Sequence, residues 1–301
     1  MTKRATRGKY HGFLIVEKPA GVTSHDVVGA VRRITGERRV GHAGTLDPAA
    51  VGVLPIAVGL ATRTVEYLSE STKSYLAEIT FGVTTDSQDG DGVVVDVNDA
   101  SHLTRETVEA ELEHFRGDIQ QVPPMHSAIK IDGRPLYERA RQGEHIELDA
   151  RPVTILELEL VSWQSPVAEI FVHCSKGTYV RSLARDIGDA VGTGAYMSNL
   201  IRLSTGPFTL EDSWQISDLE DLIDLGYWED VAAHPDAALY DRPAIVLDAD
   251  DASKWRNGLG VAAQVPDGLV RVYDVLGNWL GVGSGDPATG MVKPEKVVVE
   301  A

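Results

Sequence analysis

With 301 residues, 43% hydrophobic and 24% charged, the chain has the size and composition of a soluble globular protein built as one large domain plus a small one. No apolar run reaches the ~18 residues of a membrane span, and no apolar segment follows the basic N-terminus as a secretory signal would. The single cysteine, Cys174, excludes an intramolecular disulfide and a cysteine-built zinc cluster. The expectation is a cytoplasmic protein with no membrane association, no metal and no cofactor. The formal net charge of −17 argues against a nucleic-acid partner, but its distribution is uneven. Residues 1–39 hold nine Lys/Arg against three Asp/Glu, whereas residues 211–256 hold three against thirteen. Phosphate binding follows the local surface rather than the whole-chain sum. A basic arm of this kind is also compatible with a solvated tail.

In chain order, residues 12–16 read as a short buried strand. Ser24 is placed to cap a helix whose inward face carries Val27, Val28, Val31 and Ile34, with Gly36 ending it. Arg32, Arg33, Arg38 and Arg39 crowd its C-terminal end, where cations complement the helix dipole or face a phosphate backbone. Next comes Gly41-His42-Ala43-Gly44-Thr45-Leu46-Asp47-Pro48, a glycine-rich loop leading into the apolar run of residues 53–58. Gly41 and Gly44 allow positive φ or close approach to a ligand, and Pro48 pushes Asp47 toward an extended conformation. A carboxylate so placed serves as nucleophile, general base or merely an Asx-turn residue, and local chemistry leaves all three open.

Residues 61–68 suit a short helix, and Lys73 to Gly82 a strand of alternating faces that begins near Tyr75. Residues 84–92 form a polar turn, with residues 93–97 returning as the partner strand. Thr104 to Phe115 is an amphipathic helix closed by Gly117. Residues 153–161 and 167–174 suggest a hairpin, after which residues 176–188 open a helix whose N-terminal N–H groups suit a phosphate or a carboxylate. Residues 197–203 read as a strand, 213–225 as an acidic amphipathic helix, and 234–243 as a linker. From Ala244 the chain changes to short strands and glycine turns. Gly281-Val282-Gly283-Ser284-Gly285 is no dinucleotide fingerprint, because Pro287 follows and too little chain remains for a βαβ unit.

The run from Gly41 to Pro48 with its following strand resembles the catalytic motif of the TruB family of pseudouridine synthases, enzymes that act on transfer RNA. Lys18-Pro19-Ala20-Gly21-Val22-Thr23-Ser24, the stretch around Pro123-Pro124-Met125-His126-Ser127, and Lys176-Gly177-Thr178-Tyr179-Val180-Arg181 resemble further motifs of that family. The resemblance extends from Gly12 to about Phe208. It implies an α+β fold with a mixed, mainly antiparallel sheet flanked by helices. Residues 1–240 would form the catalytic domain, including a thumb-like RNA-clamping insertion at 118–150. Residues 244–301 more weakly resemble the small PUA-like β-domain of RNA-modifying enzymes.

The same resemblance implies Asp47 as the essential carboxylate, attacking the ribose C1′ or the base, or assisting through a glycal intermediate. It marks Tyr75 and Arg181 as its catalytic companions. His42, Tyr75, Tyr179 and Leu200 become substrate-binding positions, and Lys18 a buttress of the active site. Lys130, Arg134, Arg139 and Arg141 would line the clamp; without the resemblance, a solvated loop and helix face is the favoured account of them. A guanidinium beside Asp47 favours its ionised form, which a nucleophile needs, and Arg181 is the candidate, with Asp186 or Asp189 as its alternative partners. A uridine reaching Asp47 has to leave its stack at a cost of a few kcal/mol, of which an aromatic platform returns ~1–3 kcal/mol. The implied partner is the T-arm stem-loop of tRNA, with uridine 55 as target and a monomeric enzyme. A non-catalytic RNA-binding protein and a guide-RNA-dependent pseudouridine synthase are the competing readings.

Overall fold

The computed structural model describes residues 9–298 except 128, 132, 141, 143 and 145. Lys3, Arg4 and Arg7 of the basic N-terminus, and Arg141 of the expected clamp, lie outside the described residues. The larger sheet takes β1 (Gly12–Lys18), β2 (Val40–His42), β3 (Val51–Val58) and β4 (Lys73–Phe81) from the first part of the chain. A small separate hairpin, β5 (Val83–Thr85) with β6 (Val94–Val97), follows. The sheet resumes at β7 (Gly117–Gln121). A second small hairpin, β8 (Lys130–Ile131) with β9 (Arg134–Pro135), leads back to β10 (Arg151–Gln164), β11 (Val167–Cys174), β12 (Ala195–Thr205), β13 (Phe208–Thr209) and β14 (Ala232–Ala233). The order β14-β1-β3-β12-β4-β11-β10-β7 has β2 on β3 and β13 on β12. Every pairing in this sheet is antiparallel except one. β3 and β12 run parallel and share only Val51↔Ile201 and Gly52↔Arg202. Two antiparallel half-sheets are therefore joined along a short parallel seam.

Alternation decides which face each strand buries. In β1, Leu14 and Val16 join the main core with the helix residues Val27, Val28 and Val31, while Phe13 and Ile15 pack with Val53, Ala57, Leu68 and Phe208 on the other side. Helix α1 (Ser24–Thr35) ends at Gly36 with φ 69°, a left-handed cap that glycine adopts without strain. Its N-cap is Thr23 rather than Ser24. Thr23 and Asp26 form a reciprocal capping box, so Ser24 becomes the first helical residue and its hydroxyl is freed for another use. The 61–68 segment splits into a 3₁₀ turn over Gly59–Arg63 and a short α2 (Val65–Ser69). Helix α3 (Arg105–Leu112) likewise ends earlier than expected and tightens into a 3₁₀ turn, Glu113–Phe115. Helix α4 (Leu136–Ala140) follows β9, and α5 (Val180–Ala190) packs its apolar face on the sheet. Helices α6 (Ile216–Asp224) and α7 (Trp228–Val231) complete this part.

The five strands β15 (Ala244–Leu247), β16 (Val261–Ala262), β17 (Gly268–Asp274), β18 (Trp279–Asp286) and β19 (Met291–Val297) form a second sheet in the order β15-β17-β18-β19-β16. With α8 (Ala249–Arg256) they enclose a separate core around the fully buried Trp255. The expected linker at 234–243 is instead a packed joint. Pro235–Leu239 is a 3₁₀ turn with Asp236 and Leu239 buried, because Asp236 accepts hydrogen bonds from Tyr273 and from Arg271 Nη1 at 3.3 Å in the second sheet.

Candidate active site

A cleft of about 680 Å³ opens beside the seam, lined by Asp47, Tyr75, Tyr179, Arg181, Leu200, Lys73 and Arg202 among others. This is the size range of sites that enclose a small organic group. The carboxylate comes from the loop between β2 and β3, Tyr75 from β4, Leu200 and Arg202 from β12, and Arg181 from the first turn of α5.

The loop carrying Asp47 is fixed mainly through its backbone. Gly44 takes φ 113°, a region closed to ordinary side chains. The Ser24 hydroxyl accepts from Leu46 N at 2.9 Å and donates to Leu46 O at 3.0 Å. The fully buried Lys18 uses its ammonium on three carbonyls, Pro19 and Val22 at 2.8 Å and Pro48 at 3.0 Å. Gly21 N reaches the same Pro48 carbonyl at 2.9 Å. Burial lowers the Lys18 pKa to about 8, with Asp47 pulling the other way. Lys18 thus anchors the residue next to Asp47 and lies outside the cleft lining.

Arg181 is buried and spans two carboxylates. Its Nε lies 3.0 Å from Asp47 Oδ2 and its Nη2 3.4 Å from Oδ1, while Nη1 lies 3.1 Å from Asp89 Oδ2. The remaining donors go to the Ser87 carbonyl at 3.3 Å and the His126 carbonyl at 2.9 Å. Of the alternative partners, Asp186 is taken by Arg185. The Asp47 carboxyl is nonetheless pushed above the ordinary aspartate range. Burial is the largest cause, Arg181 opposes it, and the like charge of Asp89 adds to it. The guanidinium therefore offsets part of the burial cost without reversing it.

Tyr75 is buried, and burial raises its phenol pKa, with Arg202 acting against that rise. Tyr179 is half-buried at the start of α5. Its N–H donates to Gln121 Oε1 at 2.8 Å, and its carbonyl accepts from Gln121 Nε2 at 3.1 Å, tying the helix to the end of β7. Leu200 is buried on the cleft wall. His42 stands apart from the lining, with a half-buried ring whose pKa burial lowers. Farther out, Arg134 donates to Gln142 at 3.2 Å and Arg139 pairs with Glu144 at 3.2 Å.

Three polar residues of this site escaped the sequence reading. Asp89 sits in the segment expected to be a simple polar turn, and its partner lies 92 residues away. Lys73, buried with a pKa lowered by burial to about 8, donates to Ser69 O at 2.8 Å and Ser71 O at 2.6 Å. Arg202 is the one that strand periodicity could have found, since it lies two residues beyond Leu200 and so on the same face.

Comparison with known proteins identifies the family. Residues 32–180 match the model of the TruB family pseudouridylate synthase N-terminal domain. Residues 181–239 match the tRNA pseudouridylate synthase B C-terminal domain, and 243–298 the C-terminal region of pseudouridine synthase II TruB. A tRNA pseudouridine synthase B from Symbiobacterium thermophilum is 48% identical over 256 residues, 84% of each chain. One from Trichormus variabilis is 41% identical over 290 residues, 95% of this chain and 98% of its own. Among solved structures, a Cbf5-Nop10-Gar1 complex superposes with a TM-score of 0.75 at 26% identity, covering 95% of this chain and 84% of that one. The chain belongs to the TruB family of pseudouridine synthases.

Proposed function

We propose that this protein converts a uridine of transfer RNA to pseudouridine, with Asp47 as the essential carboxylate. The observation that carries this reading is the two-point hold of Arg181 on Asp47, at 3.0 and 3.4 Å, inside a cleft that also presents Tyr75 and Leu200. Such a fork fixes both the charge and the direction of the carboxylate. The reaction breaks the N1–C1′ bond, turns the uracil and forms C5–C1′. The proton at C5 is lost and N1 ends protonated, so no oxidant or net hydrolysis enters. Asp47 acts at C1′ or the base or in a glycal route, Tyr75 supports the base and assists removal of the C5 proton, and Tyr179 and Leu200 wall the pocket. His42 enters the gap the flipped nucleotide leaves, and Lys18 buttresses the loop. Flipping the nucleotide is required because no stacked base can reach a recessed carboxylate.

On this reading the substrate is the T-arm stem-loop and the target uridine 55. Residues 1–240 do the chemistry, the 118–150 insertion clamps the RNA, residues 244–301 form the PUA-like domain, and the enzyme works as a monomer in the cytoplasm. The reading is supported by relatives of 41–48% identity whose names specify tRNA pseudouridine synthase B. The test is incubation with unmodified tRNA, without any guide RNA, and mapping of pseudouridine at single-nucleotide resolution. Product at the T-loop uridine is expected. Product only elsewhere overturns the substrate assignment, and a requirement for a guide RNA favours the guide-dependent type.

A further inference from the structure

The seam between the half-sheets divides the reacting groups. Asp47 belongs to the loop before β3, on one side, whereas Tyr75 rises from β4 on the other. Only two residue pairs of backbone register join β3 to β12. Arg202 stands at one of these pairs and reaches across it. Its Nε donates to Val53 O at 2.7 Å, Nη2 to Gly44 O at 3.3 Å and Nη1 to Thr45 O at 3.4 Å, all on the Asp47 side. On the other side it is the cross-strand partner of Tyr75, and both side chains line the same cleft.

Arg202 is 1% exposed, and among the described residues no carboxylate pairs with it. Burying a cation without a counter-charge is costly. A strand position of this kind is ordinarily filled by an apolar side chain. What the guanidinium offers in return is a planar set of donors that can hold three carbonyls of one half-sheet at once, from a strand paired to Tyr75 in the other. Lysine, with its donors on a single atom, cannot span the same positions.

We propose that Arg202 is a positioning residue of the reaction, a staple across the parallel seam that sets the Asp47 loop and Tyr75 at a fixed separation. The proposal rests on the pseudouridine synthase reading above. The Gly44 carbonyl that Arg202 holds belongs to a residue of φ 113°, a conformation a side chain there would strain. The staple explains why a cation rather than a leucine closes this corner.

The test uses the full chain, with Arg202→Lys and Arg202→Met compared with wild type on unmodified tRNA. Single-turnover rate, RNA affinity by filter binding and thermal midpoint are measured together. Arg202→Lys should lose roughly 100-fold in rate, the size expected for a misplacement of about 1 Å, while affinity stays within about threefold. In an Arg202→Lys/Tyr75→Phe pair the losses should fall short of multiplying, because the two side chains act as one unit. Arg202→Met should shift the spectroscopic titration of the Tyr75 phenol, isolated by subtracting Tyr75→Phe, to higher pH. A folded Arg202→Lys protein of wild-type rate, or losses that simply multiply, would overturn the proposal. If neither Arg202 variant folds, Gly44→Ala, which forces the loop from the other end, should slow the reaction with affinity kept, and an unchanged rate there would overturn it. Should the wild type make no pseudouridine, the functional reading fails instead, and the Tyr75 titration still tests the staple.

Discussion

The cleft and the small C-terminal sheet solve the same folding problem with opposite materials. Around the cleft, Lys18, Lys73, Arg181 and Arg202 are all buried, and three of them spend their donors chiefly on backbone carbonyls. In the C-terminal sheet the centre is Trp255, packed among Val270, Val272, Leu280 and Val292, with its indole N–H on Leu280 O at 3.0 Å. The cation there stays at the surface: exposed Arg256 pairs at 2.8 Å with Asp274, a buried acid that also caps its turn. Apolar burial stabilises without fixing the direction of any one group. Buried cations cost stability but dictate where particular carbonyls sit. The cleft uses the second, and the C-terminal sheet chiefly the first.

That contrast can be broken in four places. The largest expected effect is at Asp47→Asn, which should lower single-turnover rate on the order of 10⁴-fold while leaving RNA affinity within about threefold, since the amide keeps the shape. Trp255→Ala should do the reverse. It removes roughly 3–5 kcal/mol of stability, seen as a lowered denaturant midpoint, with the single-turnover rate of the folded protein unchanged. Lys18→Met lies between the two. The Pro19 and Val22 carbonyls lose the ammonium, which costs about 2 kcal/mol, and the rate falls as well because Pro48 is left to Gly21 N alone. A Lys18→Met protein that loses stability and keeps its rate would erase the distinction between the two regions.

Asp89→Asn is the smallest and the sharpest. It should slow the reaction about tenfold at neutral pH through the weakened hold on Arg181. It should also move the acid limb of the rate. The reaction needs ionised Asp47, so the rate falls as pH drops through that group's pKa. The Asp89 charge raises this pKa. Removing it, and leaving the guanidinium to Asp47 alone, lowers the pKa, so the limb shifts to lower pH in a pH–rate profile. A shift to higher pH would contradict the assigned electrostatics.

Much of this architecture was legible from pattern. The alternation of Lys73 to Gly82 and of residues 167–174 found two central strands, and Gly36 marked a helix end because only its missing Cβ suits the left-handed cap. The motif resemblance brought Asp47, Tyr75, Tyr179, Arg181 and Leu200 to one cleft, and the structure gathers all five there. What could not be read was long-range polar pairing. Asp89 looks like any turn aspartate until Arg181 arrives from 92 residues away. Thr23 and Ser24 are both good caps by composition, and the choice fell to Thr23 because Asp26 completes its box while Leu46 claims the serine. Arg202 was missed although it shares a strand face with Leu200, because an arginine there reads as an exposed residue unless one knows that three carbonyls await it.

The joint at residues 235–239 has a consequence for any shortened version of the protein. Leu239 shares a small apolar cluster with Trp279, Val282 and Val298, against which Leu60 and Tyr67 also pack. Arg63 donates to the Val297 carbonyl at 2.6 Å from the same side. A truncation at residue 243 would therefore leave a greasy scar and strip Asp236 of Tyr273 and Arg271. The fragment 1–243 should self-associate, which light scattering of the truncated chain would reveal.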